Sequence, residues 1–144
     1  MAIVNNGLRS EGALDNQMWF GAANIQECVS RYLQESGYTI VRSARRKIRK
    51  SSRDIEAKSA DGKNLWVSVK GMAPTKGYAQ ARQWFAEAIL DILLLCGKDA
   101  TVELAIALPT ITTYMVIAQK LRWLALTLPF RIFWVNETGV VTPE

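Results

Sequence analysis

An Asp-Gly dipeptide between two short runs of strand-forming residues predicts a β-hairpin near the middle of the chain. Residues 53–59 and 64–70 flank the turn sequence at 60–63, and Asp-Gly is a strong signal for a tight turn between antiparallel strands. Side chains alternate between the two faces of a strand. One face of the second strand carries Leu65, Val67 and Val69, and the other carries Trp66, Ser68 and Lys70. Ser68 and Lys70 therefore lie at the end of the second strand, and Asp54 lies near the start of the first.

Hydrophobic periodicity around the hairpin predicts a single α/β domain. Apolar residues at helical spacing, with Gly37 and Gly97 as stops, indicate helices, and short apolar or β-branched runs indicate strands. The predicted helices cover 22–35, 78–95 and 110–126, and the predicted strands cover 38–41, 53–59, 64–70, 102–108 and 130–135. The order α-β-β-β-α-β-α-β predicts a mixed sheet flanked by helices. Residues 1–20 are predicted to form an N-terminal arm, and 21–144 the domain.

The amino-acid composition restricts the chemistry that is available. The chain has 144 residues, enough for one well-buried core, and it contains no histidine. This excludes His-dependent nucleases, Ser-His-Asp hydrolases and most catalytic zinc sites. Any metal must bind oxygen ligands, which favours Mg²⁺ or Mn²⁺. The two distant cysteines, the N-terminal sequence and the lack of a long apolar run predict a cytoplasmic protein with reduced thiols and no membrane span.

Positive charge is concentrated in one short segment that leads into the hairpin. The formal net charge is +5, and seven cations fall within residues 42–53. They are Arg42, Arg45, Arg46, Lys47, Arg49, Lys50 and Arg53. Such a density suits contact with phosphates, and its place next to Asp54 predicts a nucleic-acid partner.

Carboxylates and a lysine on neighbouring strand faces are groups that metal-dependent phosphodiester hydrolysis requires. Carboxylates hold an ion that polarises the phosphate and lowers the pKa of an attacking water, while a cation stabilises the developing charge. Asp54 and Glu56 share one strand face, and Ser68 and Lys70 share a face of the neighbouring strand. If the register brings these faces together, a site forms beside the basic segment.

The segment from residue 27 to residue 108 resembles the core of the PD-(D/E)xK, or restriction-endonuclease-like, nuclease superfamily. The stretch Arg53-Asp54-Ile55 through Leu65-Trp66-Val67-Ser68-Val69-Lys70 looks like the hairpin of small members such as archaeal Holliday-junction resolvases. The agreement in element order covers most of the chain. The resemblance implies magnesium-dependent cleavage of DNA, with Asp54 as a metal ligand and Lys70 as the catalytic lysine.

Ser68 stands where this family usually has a second carboxylate. In a subset of restriction enzymes with an SxK strand, the following helix supplies the missing acid, and the chain resembles that arrangement. Glu87 is the best acidic donor on the predicted helix, although Gln83 lies nearer the spacing of that subset. Glu56, on the hairpin itself, is the rival donor. The acid that replaces Ser68 therefore stays open between Glu87 and Glu56.

The two flanking helices supply further candidates. The family often places a glutamate of the first helix near the metal; here the helical phase puts Gln26 at that place, with Glu27 about 100° away around the helix. Glu27 reaches the site only if the helix is turned.

In the second helix, the stretch from Gln80 to Trp84 resembles the QxxxY motif of RecB-like members, where the glutamine borders the active site. Arg82 is predicted to contact a phosphate. A polar stripe on this helix comprises Gln80, Gln83, Glu87 and Asp91.

These observations lead to one main hypothesis and two alternatives. The main hypothesis is a Mg²⁺-dependent DNA nuclease whose metal is held by Asp54 together with Glu87, Glu56 or Glu27. In the first alternative the scaffold has lost its acids and binds DNA or a protein partner without cleavage. In the second, an apolar surface of the C-terminal half forms a homodimer or contacts a larger partner. That surface was predicted to include Leu121, Trp123, Leu124 and Phe130.

Overall fold

A computed structural model describes residues 18–43, 53–75 and 77–144. Within these ranges the chain forms three α-helices, a short 3₁₀ helix and six β-strands. The helices are α1 (Ala22–Glu35), α2 (Tyr78–Lys98) and α3 (Thr112–Lys120), and the 3₁₀ helix is Arg122–Leu126. The strands are β1 (Thr39–Ser43), β2 (Ile55–Lys58), β3 (Asn64–Val69), β4 (Glu103–Pro109), β5 (Arg131–Val135) and β6 (Val141–Pro143). The predicted order of elements is confirmed, with one further strand at the C-terminal end.

The six strands form one mixed sheet in which spatial order follows chain order. Strands β1, β2 and β3 are antiparallel neighbours, β3, β4 and β5 are parallel, and β6 returns antiparallel to β5. Parallel neighbours require crossover connections, and α2 and α3 supply them. Because crossovers of this kind are right-handed, two that advance in the same direction lie on the same face of the sheet. The α1 helix covers the opposite face, so the molecule has three layers.

The core is divided by the sheet into two apolar clusters. One cluster combines α2 and α3 with the sheet residues Trp66, Leu104, Ile106, Leu108 and Trp134. The other combines α1 with Ile55, Leu65, Val67, Ala105, Ala107 and Phe133. The central strand β4 is buried on both faces after Glu103, as its almost wholly apolar sequence predicted. Its larger side chains face the two crossover helices, and its alanines face α1.

Several predicted boundaries need correction. The predicted helix at 110–126 is two elements, because α3 ends at Lys120 and a 3₁₀ helix follows. The α2 helix continues through Gly97 to Lys98, since the apolar contacts of Leu95 with the core support its last turn. After 130–135, where no further strand was predicted, the chain forms β6, which pairs with β5 after a turn organised by the side-chain oxygen of Asn136. The α1 helix ends as predicted, with Gly37 at φ 93°.

The loop after β3 is fixed by close contacts with both flanking layers. A Cβ atom at Gly71 would lie 2.2 Å from the backbone nitrogen of Ala22, so the loop contacts the first turn of α1 directly. The Met72 amide donates to the carbonyl of Phe20, and the Tyr114 hydroxyl donates to the carbonyl of Gly71. These contacts hold the residue before Gly71, which is Lys70, at a defined place between the sheet and α2.

Phe20, at the end of the predicted arm, is buried in the core cluster with α2 and α3. Residues 1–17 of that arm lie outside the described residues. None of the helices in the described ranges combines the length and the apolar character needed to cross a membrane.

Candidate active site

Asp54 and the end of β3 lie together, as the hairpin pattern predicted. Asp54 directly precedes β2 and is 5% exposed. Its backbone amide donates to the carbonyl of Val67, and its Oδ2 atom accepts a hydrogen bond of 2.7 Å from the amide of Val69. The antiparallel register, with Ile55 opposite Val67, carries Asp54 to the level of Ser68 and Val69. The predicted metal ligand is therefore fixed beside the strand that carries the SxK sequence.

Lys70 lies one residue beyond β3 with its ammonium group directed at α2. The residue is 5% exposed, and its backbone amide donates to the carbonyl of Ala107 in β4. The Nζ atom is 3.4 Å from Oδ2 of Asp91 and 3.7 Å from Oε2 of Glu87. A buried cation requires compensation by opposite charge. The two carboxylates of α2 supply it.

Ser68 joins the same group of side chains. Its hydroxyl is fully buried and donates a hydrogen bond of 2.9 Å to Oδ2 of Asp91, the oxygen that Lys70 also contacts. We call Ser68, Lys70, Glu87 and Asp91 the lysine cluster. Asp91 therefore lies in hydrogen-bond contact with position 68, where the resemblance predicts a carboxylate.

Asp91 is the functional residue that sequence reasoning missed. It was recognised as part of the polar stripe of α2, but Glu87 was selected as the acidic donor. Asp91 follows Glu87 by four residues, so both lie on one side of the helix. Their exposures differ, since the side chain of Asp91 is 20% exposed and that of Glu87 is 47% exposed. The i, i+4 spacing of two acids on the helix after an SxK strand was the available signal.

Glu56, the rival donor, has other partners. Its Oε1 atom is 3.2 Å from Nε of Arg53 and 3.7 Å from an Nη atom of Arg42. The guanidinium of Arg53 also lies over the ring of Trp66, 4.2 Å from its centroid. We call Glu56, Arg42 and Arg53 the arginine cluster. Within the described part of the chain, Glu56 makes no ion pair with Lys70.

The first helix presents Gln26, and not Glu27, to the hairpin. Gln26 is buried, and its side-chain amide donates to the hydroxyl of Ser43 at 2.7 Å and to the carbonyl of Asp54 at 3.4 Å. Glu27 is exposed and pairs with Arg31 one turn later. The structure therefore leaves Glu27 away from Asp54, because α1 is oriented by the burial of its apolar face. Gln26 supports the backbone at Asp54 without contributing a charge.

The remaining predicted residues divide between two sides of α2. Gln80 lies seven residues before Glu87 and so on the same side of the helix. Its Oε1 atom is buried and has no hydrogen-bond partner among the described residues. Arg82 instead lines a groove between α2 and α3, together with Ile117 and Lys120. Gln83 is exposed.

Five of the eight residues predicted to contact nucleic acid lie outside the described residues. They are Arg45, Arg46, Lys47, Arg49 and Lys50. Arg42 and Arg53, the two ends of the basic segment, both contact Glu56 in the arginine cluster. Since Arg53 directly precedes Asp54, the basic segment begins and ends beside the candidate site.

Burial raises the pKa of the Tyr114 hydroxyl, which lies near the lysine cluster. Tyr114 is fully buried in the core, and this burial, reinforced by the negative charge of Glu87, raises the pKa of its phenol above the usual value of 10. The hydroxyl therefore stays protonated at neutral pH and donates 2.7 Å to the carbonyl of Gly71. This bond ties α3 to the loop that follows Lys70.

The donor set of the candidate site consists of oxygen ligands, which suits Mg²⁺ or Mn²⁺. The described residues contain no group of three or more His, Cys, Asp or Glu side chains that is arranged to hold a metal. Mg²⁺ commonly takes only one or two carboxylates from a protein and keeps several waters. The unpartnered oxygen of Gln80 is a further buried acceptor on the same side of α2. The described residues therefore offer oxygen donors of the kind that Mg²⁺ takes, without a cluster of three acids.

Comparison of the chain with protein-family models, with curated proteins and with solved structures gave no match. Inference about function therefore rests on the geometry of the site.

Proposed function

We propose that the protein is a metal-dependent nuclease of the PD-(D/E)xK type that hydrolyses DNA phosphodiesters. The observation that carries the proposal is the contact of Lys70 with two helical carboxylates. Its Nζ atom is 3.4 Å from Asp91 and 3.7 Å from Glu87, while Ser68 binds the same oxygen of Asp91. This is the arrangement that an SxK nuclease with a migrated acid requires.

In this proposal Asp54 and Asp91 are the residues that would hold Mg²⁺. When bound, the metal polarises the scissile phosphate and lowers the pKa of a water molecule. Asp54 is held in place by the amide of Val69, and Asp91 by the hydroxyl of Ser68. Both carboxylates are therefore positioned before any ligand arrives, which is the condition for efficient electrostatic catalysis.

Lys70 stabilises the negative charge that grows on the phosphoryl oxygens. Its ammonium is buried and held by Asp91 and Glu87. An incoming phosphate competes with these acids for the ammonium, and the low dielectric of the site strengthens that contact. Lys70 acts here as an electrostatic group and needs no proton transfer.

DNA is the proposed substrate because of the charge around the site. Arg42 and Arg53 flank the basic segment and lie beside the strand that follows Asp54. Guanidinium groups bind phosphates with two parallel hydrogen bonds. We also place the protein in the cytoplasm, an environment that agrees with its two free cysteines.

The second candidate is a nuclease-fold module that binds DNA without cutting it. This candidate is favoured because every acid of the site already has a protein partner. Asp54 accepts a hydrogen bond from the amide of Val69, and both α2 acids contact Lys70. In this case the cluster neutralises a buried lysine and stabilises the fold.

One experiment separates the two candidates. The wild type is incubated with plasmid, linear and branched DNA in Mg²⁺, Mn²⁺ or EDTA, beside Asp91→Asn and the matched control Asp99→Asn. Asp99 follows the last turn of α2 and accepts a hydrogen bond from the amide of Thr101, outside the lysine cluster. The nuclease proposal predicts metal-dependent cleavage that falls at least about a hundredfold in Asp91→Asn and is unchanged in Asp99→Asn. Retarded but uncut DNA in every metal would instead establish the binding module.

A further inference from the structure

The α2 helix is apolar on the side that faces solvent as well as on the side that faces the sheet. Its buried residues are Ala81, Phe85, Ala88, Ile92 and Leu95. On the opposite side Leu90, Leu93 and Leu94 are 55%, 51% and 58% exposed. An amphipathic surface helix normally carries polar residues there, and a helix that is apolar all round is normally buried. We call the exposed row formed by Ala86, Leu90, Leu93, Leu94 and Gly97 the leucine stripe.

The leucine stripe follows the spacing of a helix that packs against another helix. Its members stand at positions i, i+4, i+7, i+8 and i+11, which is the pattern of one continuous face. At 100° per residue, Leu90 lies roughly opposite the centre of the buried face. The α3 helix does not cover it, because α3 packs along the flank of α2 and leaves a groove lined by Ala86 and Ile89.

The charges beside the stripe are complementary to a second copy of the same helix. Glu87 and Lys98 lie on the same flank of the stripe, 11 residues or about three turns apart. When two copies of a helix pack antiparallel about a two-fold axis, equal flanks face each other and every contact occurs twice. An axis near the middle of the stripe places Glu87 of each copy opposite Lys98 of the other. Within the described residues, Lys98 has no ion pair of its own.

We propose that the protein forms a two-fold homodimer in which the leucine stripes of two copies pack antiparallel. The surface differs from the C-terminal one expected from the sequence. Leu121, Leu124 and Phe130 are partly buried against the core, which leaves Trp123 as the mainly exposed member of that set. The proposed dimer places a cation of the second copy beside Glu87, a carboxylate of the lysine cluster. The association itself requires neither metal nor DNA.

Sedimentation velocity of the full chain over a concentration series, without metal or DNA, tests the proposal. We expect the wild type to shift from monomer to dimer as concentration rises. Leu90→Lys should raise the dissociation constant at least tenfold, because it places a charge in the stripe. Leu126→Lys is the matched control, since Leu126 is 91% exposed but lies outside the stripe. Circular dichroism establishes that both variants are folded.

A change of charge tests the orientation of the two copies. Lys98→Glu should weaken the dimer, because it opposes Glu87 of the second copy with like charge, and Lys98→Arg, which keeps the charge, should leave it intact. Glu87 itself is left unchanged because it compensates the charge of Lys70. A wild type that stays monomeric at every concentration overturns the proposal. So does a dimer that Leu126→Lys disrupts and Leu90→Lys leaves intact. Since no DNA or metal is present, failure of the nuclease proposal leaves these results unchanged.

Discussion

The lysine cluster and the arginine cluster are two ion-pair groups with opposite compositions. In the lysine cluster one cation, Lys70, is shared by two acids from α2. In the arginine cluster one acid, Glu56, is shared by two cations, Arg42 and Arg53. The first group is therefore net negative and the second net positive. A negative site attracts a divalent metal, and a positive rim attracts a phosphate backbone.

The contrast arises from position along the hairpin. Asp54 and Glu56 are two residues apart, yet the register places Glu56 opposite Trp66 and brings Asp54 to the end of β3. The ring of Trp66 supports Arg53 from one side, which keeps a cation beside Glu56. At the strand end, α2 supplies acids. Two carboxylates with the same strand phase thus acquire different partners, which sequence alternation alone does not distinguish.

Loss of the cation from the lysine cluster should have the largest effect. Lys70→Met leaves Asp91 and Glu87 near each other without a counter-charge, and breaking a buried ion pair costs about 3 kcal/mol. We expect a comparable fall in the free energy of unfolding, measured with urea, and complete loss of cleavage. Arg53→Met, the equivalent change in the arginine cluster, should cost less, about 1 kcal/mol, because Arg42 still pairs with Glu56 and Arg53 is 18% exposed where Lys70 is 6% exposed. Equal losses would show that the clusters do not differ as described.

Crowding the loop that positions Lys70 should have the next largest effect. Gly71→Ala places a Cβ atom 2.2 Å from the backbone nitrogen of Ala22, so one of the two segments must move. We expect a loss of about 2 kcal/mol, typical of overpacking, and a displaced lysine cluster with reduced cleavage. Gly77→Ala, where nothing lies within 4 Å, should cost under about 1 kcal/mol. Thermal and urea unfolding compare the two, and an unaffected Gly71→Ala would contradict the close contact.

Removal of the positive rim should weaken binding without altering the chemistry. The double variant Arg42→Ala and Arg53→Ala should bind DNA about tenfold more weakly. The slope of log affinity against log salt should become shallower by about 1.8 if both residues contact phosphates. Lys58→Ala is the control, since Lys58 is exposed on β2 and makes no ion pair with Glu56 among the described residues. Fluorescence anisotropy at several salt concentrations measures the slope. A steeper fall for Lys58→Ala would place the DNA elsewhere.

The smallest expected effect concerns Tyr114. Tyr114→Phe removes the bond to Gly71 and should cost about 1 kcal/mol at neutral pH. Because the pKa of the phenol is raised in the folded state, the folded protein retains this proton more strongly than the unfolded chain does. Stability should therefore fall as pH rises above about 10, and this part of the fall should be absent in the variant. Tyr78→Phe, at an exposed position, should behave as wild type in urea unfolding.

Much of the fold was predictable because local patterns agree with the tertiary arrangement. The Asp-Gly turn, the apolar strand β4 and the Gly37 stop of α1 each express a local conformational preference. The end of α3 and the strand β6 were less predictable. Helical spacing continues beyond Lys120 in the sequence, and β6 pairs through its backbone, which leaves little trace in residue type.

The candidate site was predicted in part. Asp54, Ser68 and Lys70 were identified from strand phase and meet at the end of β3. The helical phase placed Gln26, and not Glu27, towards Asp54, and the structure agrees. Asp91 was missed, because the acid of a helix that meets a given strand residue depends on how the helix packs on the sheet. A stripe of polar residues does not reveal which member points at a lysine on another element.

The sequence by itself determined the order of elements, the hairpin and the residue types available for chemistry, because these follow from turn propensity, periodicity and composition. Tertiary structure decided which charges meet. The strand register places Asp54 at the end of β3, and the packing of α2 brings Asp91 to Ser68 and Lys70. Glu56 pairs instead with two arginines. Electrostatic energy depends on distances of a few ångströms, and such distances exist only after the layers have packed.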